Sequence, residues 1–231
     1  MKKIASASLA AGLLLCSRPS SFSTPAAEAL LSGVRLQQVA PVGLAGPVEG
    51  PPDDLARAKT RWGISAQLAA LRAGHGTPAS AFTFAVIGDV EPGRFIWTRP
   101  WSPGKDAFKK QLRAIQSQGA DLLMQLGDFV SKGTVKNYRG YISFLEAELK
   151  MPMFHVIGNH DRSKPNGEAD KDLYRTVFGE ETDFFFDYNG WRFVGVDSSD
   201  YKMTPAQLEW LDKTLDTDLP KLIFMHIPPA Y

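Results

Sequence analysis

The sequence predicts an α/β fold with parallel strands at its centre. Three short apolar runs, at residues 82–87, 122–126 and 153–157, are each followed by a glycine and then by polar side chains. Helical patterns of apolar residues separate these runs at 106–118 and 134–149. Buried strands that alternate with amphipathic helices are typical of parallel sheets covered by helices. The polar clusters are therefore expected at the carboxyl ends of the strands, where such sheets bind ligands.

Turn and capping signals predict the remaining elements of the domain. Asn189-Gly190 is a strong two-residue hairpin signal between strands expected at 183–188 and 191–196. Thr204-Pro205 opens a helix, with threonine as the cap and proline at the first helical position. A last strand is expected at 221–225.

Residues 1–29 are expected to be an export signal, followed by a spacer at 30–80 and a domain at 81–231. A charged start, an apolar stretch too short to span a membrane and a small-residue cleavage pattern all fit export to the periplasm or the extracellular space. A lipid anchor at Cys16 is the alternative, although the leucine before this cysteine fits that signal poorly. Within the spacer, a helix is expected near residues 53–72.

Composition excludes several classes of function. The whole chain has a formal net charge of +1. Residues 1–29 hold three basic residues and one acidic residue, so the remainder has 23 basic and 24 acidic residues and a net charge of −1. No domain-wide positive field is therefore present to bind nucleic acid in general. The only cysteine is Cys16, so a metal site in the domain has to use imidazole, carboxylate or amide ligands. The sequence also has no serine-hydrolase elbow and no Walker-type phosphate loop.

Residues with metal-binding chemistry stand at the predicted strand ends. They are Asp89 and Glu91, Asp128, Asn159 with His160 and Asp161, and His226. Carboxylate, amide and imidazole groups together suit divalent ions such as Mn, Fe, Zn or Mg. Two such ions that share the Asp128 carboxylate would polarise a phosphoryl group and generate hydroxide from bound water. His160, beside the Asp161 carboxylate in the chain, is expected to donate a proton to the leaving group.

The order and placement of these motifs resemble the calcineurin-like metallophosphoesterases. The resemblance rests on Gly88-Asp89, Gly127-Asp128, Gly158-Asn159-His160-Asp161 and Met225-His226, and it extends over residues 82–231. It implies a four-layer α-β-β-α sandwich and a hydrolase of small-molecule or macromolecular phosphate esters that uses two divalent metal ions. It also implies that Asp89 binds the first ion, Asp128 bridges both, Asn159 and His226 bind the second, and His160 contacts the substrate or protonates the leaving group.

Two departures from the family pattern bear on function. The first motif of the family reads Asp-x-His, whereas this chain has Asp89-Val90-Glu91. Glu91 either ligates the first ion as a carboxylate or does not ligate, which would leave that ion weakly held. The family's final Gly-His-x-His motif is absent from the five residues after His226. We therefore expect an incomplete sequence that lacks the last strands of the fold.

Some assignments stay open at the level of sequence. Arg94 and Arg99, in the loop after the first strand, either bind the substrate phosphate or belong to an ordinary loop. His155 lies inside the third strand and is expected to be a buried core residue. Two alternatives to a phosphomonoesterase also stay open. One is a phosphodiesterase or nuclease of the same fold, and the other is a non-catalytic binding domain with a degenerate metal site.

Overall fold

The computed structural model describes residues 12–17, 53–74, 81–91, 104–164 and 170–228. The strands are β1 Gly12–Ser17, β2 Ala81–Ile87, β3 Leu122–Gln125, β4 Met153–His155, β5 Phe184–Tyr188, β6 Trp191–Val196 and β7 Lys221–Met225. The helices are α1 Asp53–Trp62, α2 Ile64–Gly74, α3 Gly104–Ser117, α4 Val135–Glu148, α5 Asp172–Val177 and α6 Pro205–Leu215. Every strand and helix predicted from residue 81 onward has a counterpart among them.

The strands β2, β3 and β4 are parallel neighbours in a four-stranded sheet with the order β1-β2-β3-β4. In the register of this sheet, Ile87 lies opposite Gln125, and Gln125 lies opposite His155. The three strands therefore end side by side, and the turns that follow them meet at one edge. The three polar clusters of the sequence lie on these turns.

The second sheet has three strands in the order β5-β6-β7. β5 and β6 form the predicted hairpin, in which Asn189 and Gly190 have φ angles of 49° and 81°, as a type I′ turn requires. β7 pairs with β6 in parallel, so that Val196 lies opposite Met225. This pairing fixes the position of His226, which follows β7 directly.

The two sheets pack face to face around an aromatic core. Its rings come from both sheets and include Phe82, Phe84, Phe154, Phe186, Phe193 and Phe224. The other face of the first sheet packs against α1, α3, α4 and α5 through a second apolar cluster. Arg192, on the opposite face of β6 from Phe193, donates a hydrogen bond to the backbone oxygen of Thr214 in α6. The order helix, sheet, sheet, helix confirms the predicted four-layer sandwich.

The part of the chain before β2 differs from the expected arrangement. The helix expected near 53–72 is divided into α1 and α2 at Gly63, where a Cβ atom would lie 2.7 Å from the backbone oxygen of Lys59. Residues 12–17, within the expected export signal, form β1, whose backbone pairs antiparallel with β2. Export itself stays a prediction. Among the described residues, no helix is long and apolar enough to cross a bilayer.

Candidate metal centre

The turns after β2 and β3 place two aspartates in the same unusual backbone conformation. Asp89 and Asp128 both have a φ angle of 52°, in the left-handed region. This conformation costs a residue with a side chain about 1–2 kcal/mol. The turns also bond to each other, because the Asp89 N–H donates to Gly127 O at 3.1 Å and the Glu91 N–H donates to Asp128 O at 3.2 Å. The two aspartates are therefore held next to each other.

Two glycines let the turn after β4 approach the turn after β3. A Cβ atom at Gly127 would lie 2.6 Å from the backbone nitrogen of Gly158. A Cβ atom at Gly158 would collide with the backbone nitrogen and the carboxylate of Asp128. Only glycine fits at either position, and the close contact places Asp128 against residues 159–161.

His226 brings a ring nitrogen to two oxygen atoms at this edge. Its Nδ1 lies 2.9 Å from the backbone oxygen of Leu126, which can only accept, so Nδ1 carries a hydrogen. Its Nε2 lies 3.1 Å from Asn159 Oδ1 and 3.4 Å from Asp128 Oδ1. A neutral imidazole would therefore turn its lone pair toward two acceptors. A cation among the three atoms, a proton on Nε2, or an Asn159 amide turned to donate its –NH2 would each satisfy this arrangement.

Asp128 and His226 shift each other's pKa toward the charged forms. Burial, the largest single effect, raises the pKa of Asp128, but the His226 imidazole and His160 together hold this pKa below its usual value. Burial is also the largest effect on His226 and lowers its pKa, but Asp128, Asp89 and the Leu126 backbone together raise it above its usual value. The surroundings of Nε2 thus favour a positive charge, whether a proton or a metal ion supplies it.

Glu91 and His160 form a second group with Asp128. The His160 backbone N–H donates to Asp128 Oδ1 at 2.9 Å. The His160 Nδ1 atom lies 3.3 Å from the backbone oxygen of Ser131 and 3.5 Å from Glu91 Oε2. Both of these atoms are acceptors, so Nδ1 carries the hydrogen in the neutral ring. Glu91, which is only 9% exposed, thus brings a carboxyl group beside this imidazole.

The side chains fit a pair of divalent cations with a shared ligand. Ligand atoms of Asp89, Asp128 and His226 lie within 4.8 Å of one another, and so do those of Glu91, Asp128 and His160. Asp128 belongs to both groups, which is the position of a bridging carboxylate. Carboxylate and imidazole ligands, with the Asn159 amide oxygen beside them, suit Mn, Fe, Zn or Mg.

The ligand groups given by distance do not coincide with the division between two ions that the resemblance implies, and that division stays a prediction. Asp89 and His226 were assigned to different ions, whereas the structure groups both with Asp128. The structure also groups Glu91 with His160, for which the resemblance implies a role toward the substrate and not toward the metal. The bridging place of Asp128 is common to both arrangements.

Asp161 has other partners than those that the sequence predicts. The sequence places its carboxylate as a partner of the adjacent His160 ring. In the structure this carboxylate accepts four backbone N–H groups, from Gly158 and from residues 128–130. Burial and the charge of Asp128 raise the pKa of Asp161, whereas N–H donors such as those of Gly158 and Val130 lower it. The four donors occupy the lone-pair positions of both oxygens, so these contacts require the ionised carboxylate. The four donors account for the position of the carboxylate.

Of the remaining predicted residues, one lies in the core and two lie outside the described residues. His155 is 1% exposed, as the sequence predicts for a core residue, and its Nε2 lies 3.0 Å from the hydroxyl oxygen of Tyr141. Arg94 and Arg99, the expected phosphate-binding residues, lie outside the described residues. Their role stays a prediction.

Two buried polar residues support the centre and were missed at the level of sequence. Gln125 lies at the end of β3. Its Oε1 accepts the N–H of Gly127 at 2.5 Å, and its Nε2 donates to the oxygen of Gly127 at 3.0 Å. Arg162, which is 2% exposed, donates from Nε to Asn159 O at 3.4 Å and pairs with Asp200. The available signals were a polar residue at the last position of a buried strand and an arginine directly after the Asn-His-Asp element.

Known proteins share parts of this sequence and fold. A probable cyclic nucleotide phosphodiesterase from Fibrobacter succinogenes is 30% identical over 129 residues, which are 54% of this chain and 50% of that protein. The chain thus spans about half the length of this curated relative. A crystal structure of a dimetal phosphatase from Danio rerio has 18% identity and a TM-score of 0.45, over 64% of this chain and 70% of that one. The calcineurin-like phosphoesterase family matches residues 82–231, which include every candidate ligand described above, and the chain belongs to this family.

Proposed function

We propose that this protein hydrolyses phosphate esters at a centre of two divalent cations. The observation that carries the proposal is the pair of ligand groups that share Asp128. Ligand atoms of Asp89, Asp128 and His226 lie within 4.8 Å of one another, and so do those of Glu91, Asp128 and His160. The family membership supports a phosphoryl group as the reacting group.

The chain supplies the ligands from the ends of its strands. We assign this role to Asp89, Glu91, Asp128, Asn159 and His226, with Asp128 shared by both ions. The cations, when bound, would polarise the phosphoryl group and lower the pKa of a bound water. The short turns that carry the ligands are tied together by backbone hydrogen bonds, so the centre needs little reorganisation during the reaction.

His160 is the proton donor in this proposal. Its Nδ1–H faces Ser131 O and Glu91 Oε2, which orients the ring and leaves the transferable proton on Nε2. As the bond between phosphorus and the leaving oxygen breaks, the Nε2 proton passes to that oxygen, and the alcohol departs neutral.

A phosphodiester is the second substrate class that an observation favours. The relative from Fibrobacter succinogenes is named a probable cyclic nucleotide phosphodiesterase. A diester presents one negative charge to the centre, whereas a monoester presents up to two. The −1 net charge of the chain after residue 29 gives no support to general nucleic-acid binding, so a small diester is the first form to test.

The test compares rates on nitrophenyl phosphate and bis(nitrophenyl) phosphate, with purified full-length protein. The protein is first stripped with a chelator and then given Mn²⁺, Zn²⁺ or Mg²⁺. We expect the chelator to abolish hydrolysis and one of these ions to restore it. Asp128→Asn should lower kcat by at least about a hundredfold, because the shared ligand loses its charge. Asp212→Asn, the same change at an exposed site on α6, is the matched control.

Each outcome has a defined meaning. A larger kcat/KM for the bis-ester assigns a diesterase, and a larger value for the mono-ester assigns a monoesterase. Hydrolysis that survives the chelator, or full turnover by Asp128→Asn, would contradict the proposal. Binding of fewer than two ions, without hydrolysis of either ester, would favour the binding-domain alternative.

A further inference from the structure

Asp161 is a buried carboxylate whose two oxygens accept four backbone N–H groups. The side chain is 1% exposed. Its Oδ2 accepts N–H bonds from Gly158 at 2.7 Å and from Asp128 at 2.9 Å. Its Oδ1 accepts from Phe129 at 2.9 Å and from Val130 at 3.1 Å. An ionised carboxylate offers about four lone-pair sites, so four donors saturate it.

Three of the four donors are consecutive residues of the turn after β3. This turn starts with Asp128 in the left-handed conformation, at a φ angle of 52°. Successive N–H groups that point the same way form a concave site for an anion, and without one they would be buried donors with no acceptor. The carboxylate of Asp161 fills this site. The turn that presents Asp128 therefore depends on a side chain from the next strand end.

The main chain of Asp161 is anchored as well. The Tyr138 hydroxyl, on α4, donates to the backbone oxygen of Asp161 at 2.8 Å, and the Tyr138 side chain is fully buried. The next residue, Arg162, accepts the N–H of Gly133 at 3.0 Å. Asp161 thus connects the helix layer to the turn after β3 through hydrogen bonds on both its main chain and its side chain.

We propose that Asp161 is a positioning residue for Asp128, and that it sets the direction in which the shared carboxylate meets the two cations. This inference rests on the proposed function, since it concerns the ligand that both ions share. It differs from the sequence-based assignment of Asp161 as the partner of His160. A partner of His160 acts on proton transfer, whereas a positioning residue for Asp128 acts on metal binding.

The test measures metal binding by the full-length protein and not only its activity. In Asp161→Asn, the amide –NH2 group would face N–H donors, so half of the acceptor capacity of the side chain is lost. We expect the weaker of two Mn²⁺ ions to bind at least about tenfold less tightly by calorimetry, in line with the loss of an outer-shell partner. The electron paramagnetic resonance signal of a coupled Mn²⁺ pair should also change.

Asp183→Asn is the matched control. Asp183 is half-buried and also accepts a backbone N–H, from Asp197 at 2.8 Å. It directly precedes β5 in the second sheet, and its hydrogen-bond partners Asp197 and Gln207 are not candidate ligands. This variant should bind both ions with wild-type affinity and give the wild-type spectrum. The leaving-group dependence of Asp161→Asn, measured at saturating Mn²⁺, should match that of the wild type.

Tyr138→Phe provides a second variant in case Asp161→Asn does not fold. It removes only the hydroxyl that holds the Asp161 backbone, and we expect about a two- to fivefold weakening of the same ion with the same spectral change. Wild-type metal binding by Tyr138→Phe, or by a folded Asp161→Asn, overturns the inference. A selective loss of activity on alkyl esters by Asp161→Asn also overturns it, because that result restores the role beside His160.

The inference and the proposed function can fail separately. If the wild type binds two ions but hydrolyses no ester, the proposed function fails, while the metal-binding data still decide the role of Asp161. If the wild type binds fewer than two ions, both are overturned.

Discussion

At the scale of single residues, the two candidate-ligand aspartates occupy the left-handed backbone region. Asp89 and Asp128 share a φ angle of 52°, and aspartate adopts this region more readily than most residues with a side chain. Glycine would adopt it at lower cost but would remove a carboxylate from the centre. We predict that the geometry of metal ligation is the requirement that keeps aspartate at both positions.

His160 permits a prediction that depends on the leaving group. His160→Ala should reduce kcat for alkyl phosphate esters by about a hundredfold or more, because an alkoxide needs a proton in order to leave. Nitrophenolate leaves without one, so the loss on nitrophenyl phosphate should be below about tenfold. Initial rates on both ester types, together with the metal content of the variant, provide the measurement. Equal losses on the two esters at unchanged metal content would contradict the proton-donor role.

At the scale of elements, the loop between β6 and α6 is short and tightly bonded. The Tyr201 N–H donates to Ser198 O at 2.9 Å, and Thr204 and Gln207 form a capping box that starts α6. Within this loop Tyr201 has a φ angle of 63°, and its side chain is 61% exposed. An aromatic residue gains little from burial at this position and carries the cost of the left-handed conformation.

Tyr201→Gly and Tyr201→Ala should reverse the usual order of stability. Inside helices and strands, a protein with glycine is less stable than the same protein with alanine by about 0.5–1 kcal/mol. At this left-handed position we expect the glycine variant to be more stable by about 1 kcal/mol, because alanine keeps the strain and both variants lose the ring. Urea unfolding of the two proteins gives the difference in free energy of unfolding. An alanine variant that equals or exceeds the glycine variant would rule out strain at Tyr201.

At the scale of the whole molecule, one histidine is enclosed by the apolar core beside the first sheet. The His155 ring stacks on Phe178 with 4.0 Å between ring centroids and also contacts Phe129 edge-on. Burial lowers the pKa of His155 to about 3. The folded protein therefore holds this imidazole neutral at pH values where an unfolded chain would protonate it.

This burial predicts a loss of stability in acid. The unfolded-state pKa of histidine is about 6.5, so the unfolded chain binds a proton that the folded state excludes as the pH falls below that value. His155 has almost no effect on the free energy of unfolding well above pH 6.5. As the pH falls toward 3, its effect grows to a destabilisation on the order of 4 kcal/mol. His155→Phe should therefore flatten the fall in the free energy of unfolding between pH 6.5 and 4.5, measured by urea titration of metal-free protein.

Tyr141→Phe is the control for this change, since it removes the hydrogen-bond partner of His155 but keeps the imidazole. Tyr141→Phe should have a lower free energy of unfolding at every pH. The slope of that free energy against pH should equal the wild-type slope. The comparison of variant and wild-type slopes isolates His155, because other groups titrate in both proteins. An unchanged slope in His155→Phe would show that this ring does not govern the response to acid.

Most of the fold follows from patterns that are local in the sequence. The strands before Asp89, Asp128 and Asn159 are continuous apolar runs, and the hairpin and the start of α6 have strong turn and capping signals. The helix α5, Asp172–Val177, has only six residues and was not predicted. A helix of less than two turns lacks the repeated apolar spacing on which such a prediction depends.

The candidate site could also be predicted from the sequence only in part. Strand ends identify the ligands, because parallel strands carry their terminal residues to one edge. The partners of Asp161 could not be read from the sequence, since they are backbone groups that share no residue type or spacing. The approach of Glu91 to His160 joins residues 69 positions apart and depends on the packing of two turns. The sequence therefore predicts which residues gather, and the structure adds which of them act on one another.

The meeting of His226 Nε2 with the oxygens of Asn159 and Asp128 has a consequence for the order of events in catalysis. A phosphate ester is itself an anion, so the carboxylates of the proposed centre would repel it until a positive charge offsets their own. For the proposed two-cation centre we therefore expect the cations to bind before the ester. Raising the ester concentration would then not replace missing metal.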